Sequence, residues 1–78
     1  MIELKTKLPK NFRQDCKDKT KYTQIFAHVS KDLMVDPITG VKTMQIIAGR
    51  YGLDAYELFY KIINDFVAAH IESEGGKP

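Results

Sequence analysis

The sequence predicts an all-α fold, a three-helix bundle built around a helix-turn-helix-like unit and preceded by a short N-terminal strand or basic arm. Two observations carry this prediction. Apolar residues recur at helical spacing in three stretches, and glycine-containing turn sequences, Asp36-Pro37-Ile38-Thr39-Gly40 and Tyr51-Gly52-Leu53, separate them. The division that follows is an arm over 1–20, a helical domain over 21–72 and a disordered tail over 73–78. A chain of 78 residues makes one small domain, and domains of this size bury only about 60% of their unfolded surface.

The first eight residues alternate apolar and polar at Ile2, Leu4, Thr6 and Leu8 before Pro9. That alternation fits a half-buried strand, and the alternative is a basic arm without structure. Residues 10–20 are charged and nearly free of aromatics apart from Phe12, so they read as an exposed linker or a frayed helical turn. The first helix is expected over 21–34, where Tyr22, Ile25, Phe26, Val29 and Leu33 share one face and Thr20 stands in the capping position. Pro37 disfavours helix at Asp36 and Gly40 tolerates unusual dihedrals, so a turn follows.

A second helix is expected to about residue 51, with Val41, Met44, Ile47, Ala48 and Tyr51 facing inward. Ala48 is small enough for a close crossing, and Gly49, which costs a helix about 1 kcal/mol relative to alanine, also hints at one. Gly52 is placed to take the left-handed conformation that ends a helix, with Leu53 plugging the corner. The third helix starts at the cap Asp54 and runs to about residue 71. Its core stripe is Ala55, Leu58, Phe59, Ile62, Phe66 and Ala69. A second ridge, Tyr56, Tyr60, Ile63, Val67 and Ile71, widens the apolar arc to roughly 220°, about twice what one packing surface requires. Something must cover that ridge: the arm, a second copy of the chain, or a different protein.

Charge is unevenly spread. Residues 1–21 hold seven basic side chains (Lys5, Lys7, Lys10, Arg13, Lys17, Lys19, Lys21) against Glu3, Asp15 and Asp18, a local balance of +4 in a chain of net +2, which leaves −2 for the rest. The polar arc of the third helix carries Asp54, Glu57, Lys61, Asn64, Asp65 and Glu72, an acidic face that phosphates repel. The sequence therefore favours a protein partner over a groove-reading contact with DNA. The expected partner-binding residues are Tyr56, Tyr60, Ile63 and Val67, with Glu57 and Asp65 at the rim facing a basic surface. The alternative is a DNA-binding regulator that uses Lys5, Lys7, Lys10, Arg13, Arg50 and Lys61.

No catalytic, metal or cofactor constellation is expected. Cys16, His28 and His70 are isolated and lack zinc-site spacing. His28 and Asp32 read as an i,i+4 pair, and His70 sits well against the negative end of its helix. A lone cysteine and the lack of a long apolar run predict a cytoplasmic chain that needs no membrane. A homodimer is compatible with either partner class.

The segment Tyr51-Gly52-Leu53-Asp54-Ala55-Tyr56-Glu57-Leu58-Phe59-Tyr60-Lys61-Ile62-Ile63, preceded by Asp36-Pro37, resembles part of the winged-helix domain at the N-terminus of phage and prophage replication-initiator proteins. It departs from that pattern in a longer stretch between Pro37 and Tyr51 and in the lack of downstream wing strands. The resemblance implies a helix-turn-helix-like core of mobile-element origin. With the acidic last helix, it leads to the expectation of a small non-enzymatic regulator that binds and modulates a host macromolecular complex.

Overall fold

The computed structural model describes residues 2–75 and is all-α. Four helices follow in order: α1 (Phe12–Asp15), α2 (Lys31–Met34), α3 (Thr43–Arg50) and α4 (Ala55–Ser73). Among the described residues no strand forms. The nearest thing to one is a single antiparallel bridge between Val35 and Lys42. The helix α3 packs on α4, and α2 packs on α3. No helix is long and apolar enough to cross a membrane among the described residues.

The corner between α3 and α4 is closed by backbone chemistry that its residues dictate. Gly52 adopts φ 70°, a conformation that costs a side-chain-bearing residue strain. With Gly52 in place its N–H donates to Gly49 O at 3.2 Å and the Leu53 N–H donates to Ala48 O at 2.9 Å, the paired bonds of a Schellman closure. Immediately afterwards Asp54 Oδ1 accepts from the Glu57 N–H at 2.8 Å, while Glu57 Oε1 accepts from the Asp54 N–H at 2.9 Å, a complete capping box. The corner therefore satisfies the last carbonyls of one helix and the first amides of the next within a few residues. Against it, Ala48 and Leu58 are each only 1% exposed.

The loop from α2 to α3 is also local chemistry. Asp36 Oδ1 accepts from the N–H groups of Ile38 at 2.8 Å and Thr39 at 3.2 Å, Gly40 takes φ 73°, and the Asp36 N–H donates to Val41 O. This is the turn the sequence predicts.

Four expectations need correction. The helix expected over 21–34 forms only as α2, and residues 22–30 have no regular structure. Beyond Tyr22 its apolar face, Ile25, Phe26, Val29 and Leu33, stays exposed, and an isolated helix of about 12–15 residues is marginal in water without a surface to pack on. Thr20 does not cap it. Its N–H and Oγ1 instead donate to Asp18 Oδ1, which holds the Asp18 carboxyl below its ordinary value, the hydroxyl bond contributing most. His28 therefore lies outside any helix, so it does not form the i,i+4 pair with Asp32. In residues 10–20 the expected short helical turn does form, as α1, and its Phe12 is one of three buried apolar side chains among the described residues, with Ala48 and Leu58.

Gly49 is the fourth correction. A methyl group built there meets nothing within 4 Å, so the close crossing belongs to Ala48 alone. At the other end, Ser73 closes α4, Glu74 and Gly75 form a turn, and the rest of the expected disordered tail, 76–78, lies outside the described residues. His70 Nε2 lies 3.1 Å from Glu74 Oε1 in the last turn.

The two glycines of the corner should respond to alanine with opposite signs. Gly49→Ala is expected to stabilise the fold by about 0.5–1 kcal/mol through helix propensity, and Gly52→Ala to destabilise it by about 1 kcal/mol or more. Thermal unfolding followed by circular dichroism checks both. Equal signs would contradict the assignment of the close crossing and the turn.

Candidate partner-binding surface

The side chains expected to form a binding surface all lie on α4 or on the segment that wraps it. That segment runs round one side of the helix. At its start, the Tyr51 hydroxyl donates to Ile2 O at 2.6 Å, and Asp65 accepts from the Lys5 N–H at 2.7 Å and the Thr6 N–H at 2.6 Å, with the Thr6 hydroxyl donating to the same carboxylate. Further along, Phe12 stacks against Tyr60 with ring centroids 4.8 Å apart, and Tyr22 closes the cluster at 5.7 Å from Phe12 and 6.1 Å from Tyr60. Arg13 joins them: its guanidinium lies 5.1 Å above the Tyr56 ring and its Nε 3.3 Å from Asp54 Oδ2.

This wrapping decides which predicted residues stay available. Tyr56 is 68% exposed, and Ile63 and Val67 remain open beside it at 39% and 48%. Tyr60 is half-buried under Phe12 and Tyr22, so the arm covers the ridge in part. Glu57 and Asp65 are half-buried and occupied within the chain, one in the capping box and the other by the arm. The arc read as a solvated acidic face is thus partly an internal docking site for the N-terminal backbone. The stripe read as core is buried at its start, where Leu58 is 1% exposed and Ala55 half-buried, and open further along, with Phe59 and Ile62 more than a third exposed and Phe66 74% exposed.

Among the basic residues, Lys5, Lys7, Lys10, Arg13 and Arg50 are exposed and Lys61 is half-buried. They do not converge. The Lys5 amide is docked on Asp65 of α4, while Arg50 borders an open hollow of about 430 Å³ between α2 and α3, together with Asp32, Asp36 and Ile46. Among the described residues no group of three His, Cys, Asp or Glu side chains is placed to hold a metal ion.

The residues that sequence reasoning missed are Arg13, Phe12 and Tyr22 as parts of the ridge. The available signal was Phe12, the single aromatic in a charged stretch, since a lone bulky apolar side chain beside an amphipathic helix commonly packs back onto it. Compared with known proteins, the chain matches no family model, no curated protein and no solved structure.

The Asp65 contact has a pH signature. The Thr6 hydroxyl does most to hold the carboxyl below its ordinary 3.8, partial desolvation works the other way, and the Lys5 and Thr6 amides add to the lowering. A depressed carboxylate contributes stability above its unfolded value and loses it as pH falls through the folded value. The amide proton resonances of Lys5 and Thr6 should therefore move together in an NMR titration below pH 3.8, and Asp65→Asn should remove the transition. Resonances of these two amides that ignore acid would contradict the docked arm.

Proposed function

We propose that this chain is a small non-enzymatic binding protein whose α3–α4 corner acts as a helix-turn-helix-shaped scaffold for contact with another protein. The observation that carries the reading is the exposed ridge of Tyr56, Ile63 and Val67 on a helix whose start is locked by a capping box. These residues are four, seven and eleven apart, a spacing that keeps them on one helix face, and such a face is how an amphipathic helix enters an apolar groove. Tyr60 supports the ridge from its flank, and Phe12 and Tyr22 keep it in place.

Arg13 adds a rim charge above Tyr56, so the complementary groove is apolar with acidic or carbonyl groups at the Tyr56 end. Glu57 and Asp65 contribute by fixing the helix start and the arm, in place of the rim contacts expected of them. The resemblance of the corner to phage replication-initiator domains supports a mobile-element regulator acting in the cytoplasm on a host complex. Aromatic residues packed against a rigid helix are the usual centres of interface energy, with truncation costing about 2 kcal/mol or more.

The DNA reading rests on the exposed lysines of the docked arm, whose backbone is pinned while their charges face outward. Affinity for DNA would fall steeply with salt.

Retention of host-lysate proteins on the immobilised chain tests the two readings. Tyr56→Ala combined with Val67→Ser is expected to lower capture of a specific partner at least tenfold with the helical circular dichroism unchanged, and nuclease treatment is expected to leave capture intact. Capture that survives both substitutions, or that nuclease abolishes, would overturn the protein-partner reading.

A further inference from the structure

We propose that the flank of α4 from Asp54 to Asp65 is a peptide-binding track, which the N-terminal arm fills in cis as a displaceable stand-in for an extended basic segment of another protein. The arm itself shows what the track accepts. Asp65 accepts from two consecutive backbone amides, Lys5 at 2.7 Å and Thr6 at 2.6 Å, and from the Thr6 hydroxyl. About a turn and a half nearer the start of the helix, the Tyr60 ring packs on Phe12 at 4.8 Å. Nearer still, the Arg13 guanidinium lies 5.1 Å above Tyr56 and 3.3 Å from Asp54. The arm therefore meets α4 in reverse order, antiparallel to the helix.

These contacts divide into a general part and a selective part. Backbone capture at Asp65 suits any residue with an N–H, and the hydroxyl contact favours threonine or serine after it. Tyr60 selects an aromatic ring, while Tyr56 and Asp54 together select a guanidinium, which stacks on one and pairs with the other. Main-chain bonds for affinity and a few side-chain contacts for specificity are how extended peptides are recognised. Charge points the same way. The track carries Asp54, Glu57 and Asp65, and residues 1–21, which fill it, carry a balance of +4. The ligand class is thus a basic extended segment with threonine or serine ahead of an aromatic–arginine pair, spaced as Thr6 is from Phe12 and Arg13.

The arm is held as a displaceable occupant would be. Phe12 is the one buried side chain in residues 2–15, brought inward by a turn in which its N–H donates to Pro9 O at 3.2 Å and Asn11 takes φ 61°. The Arg13–Asp54 pair is about half exposed on both sides, at 53% and 43%, and such pairs contribute little alone. Beside the turn, an open hollow of about 320 Å³ lined by Leu8, Pro9, Asn11, Gln14 and Glu57 separates arm from helix. A short tether holds its end at an effective concentration of about 1 mM or more, so weak contacts keep the track filled and a better-fitting segment replaces them. None of this needs Ile63 or Val67, so the track stands apart from the open ridge.

A fluorescein-labelled peptide of residues 2–15, titrated against the full chain and followed by anisotropy, tests the proposal. Wild type, whose own arm competes, is expected to bind about tenfold more weakly than Phe12→Ala and Arg13→Glu, which loosen the cis arm through different contacts. Arg13→Glu leaves the buried Phe12 in place, and the helical circular dichroism of α4 checks the fold of each variant. Adding Asp65→Asn to Arg13→Glu is expected to weaken binding about tenfold, whereas adding Val67→Ser leaves it unchanged, which separates the track from the ridge. Equal affinity of wild type and the folded loosened chains, affinity that ignores Asp65→Asn, or no binding up to about 1 mM peptide would overturn the proposal. So would a wild-type mass that doubles from 8.9 kDa in light scattering over the same range, because the occupant would then be the arm of a second copy.

Discussion

Everything in this fold is referred to the corner at Gly52, where one helix is closed and the next is opened within six residues. Helix ends leave carbonyl and amide groups without partners, and burying such an end without satisfying them costs more than most side-chain contacts return. Here Gly49 O and Ala48 O receive the N–H groups of Gly52 and Leu53, and Asp54 and Glu57 exchange side-chain and backbone bonds at the start of α4. Ala48 and Leu58, on the two helices that the corner joins, are the most deeply buried side chains among the described residues. With so few fully buried side chains among the described residues, directional hydrogen bonds at one corner do what a large core does in a bigger domain.

From that corner the N-terminal segment takes its position. Tyr51 holds the arm at Ile2, Asp65 holds it at Lys5 and Thr6, and Arg13 returns to Asp54 at the cap itself. Exposed ion pairs such as Arg13–Asp54 contribute little alone. Their effect is to keep Phe12 against Tyr60, and with it the orientation of the aromatic cluster on α4. Asp54, Glu57 and Asp65 are consequently engaged within the chain, and the apolar side of α4 stays open at Phe59, Ile62 and Phe66.

The parts of the structure that could be read in the sequence are those decided within a few residues. The Asp36 to Gly40 turn, the left-handed Gly52 and the Asp54 cap each follow from the chemistry of one or two side chains, and all appear where the sequence places them. The stretch before α2 was misread because its helical periodicity is real while the surface that would stabilise the helix is not supplied by this chain in this conformation. Phe59, Ile62 and Phe66 were misread as core for the same reason, since periodicity identifies an apolar face without saying what covers it. The exposure of Tyr56, Ile63 and Val67 along one side of α4 was legible, whereas the employment of Asp65 inside the chain depends on where a distant backbone arrives, which spacing alone does not encode.

Native-state hydrogen exchange of the full chain, read residue by residue, tests the dependence on the corner most directly. The account predicts that the amides of Gly52, Leu53 and Leu58, which close the corner, are the slowest to exchange outside the middle of α4, and that Gly52→Ala accelerates them together with the arm amides of Lys5 and Thr6. Arm amides that keep their protection when the corner is weakened would contradict it.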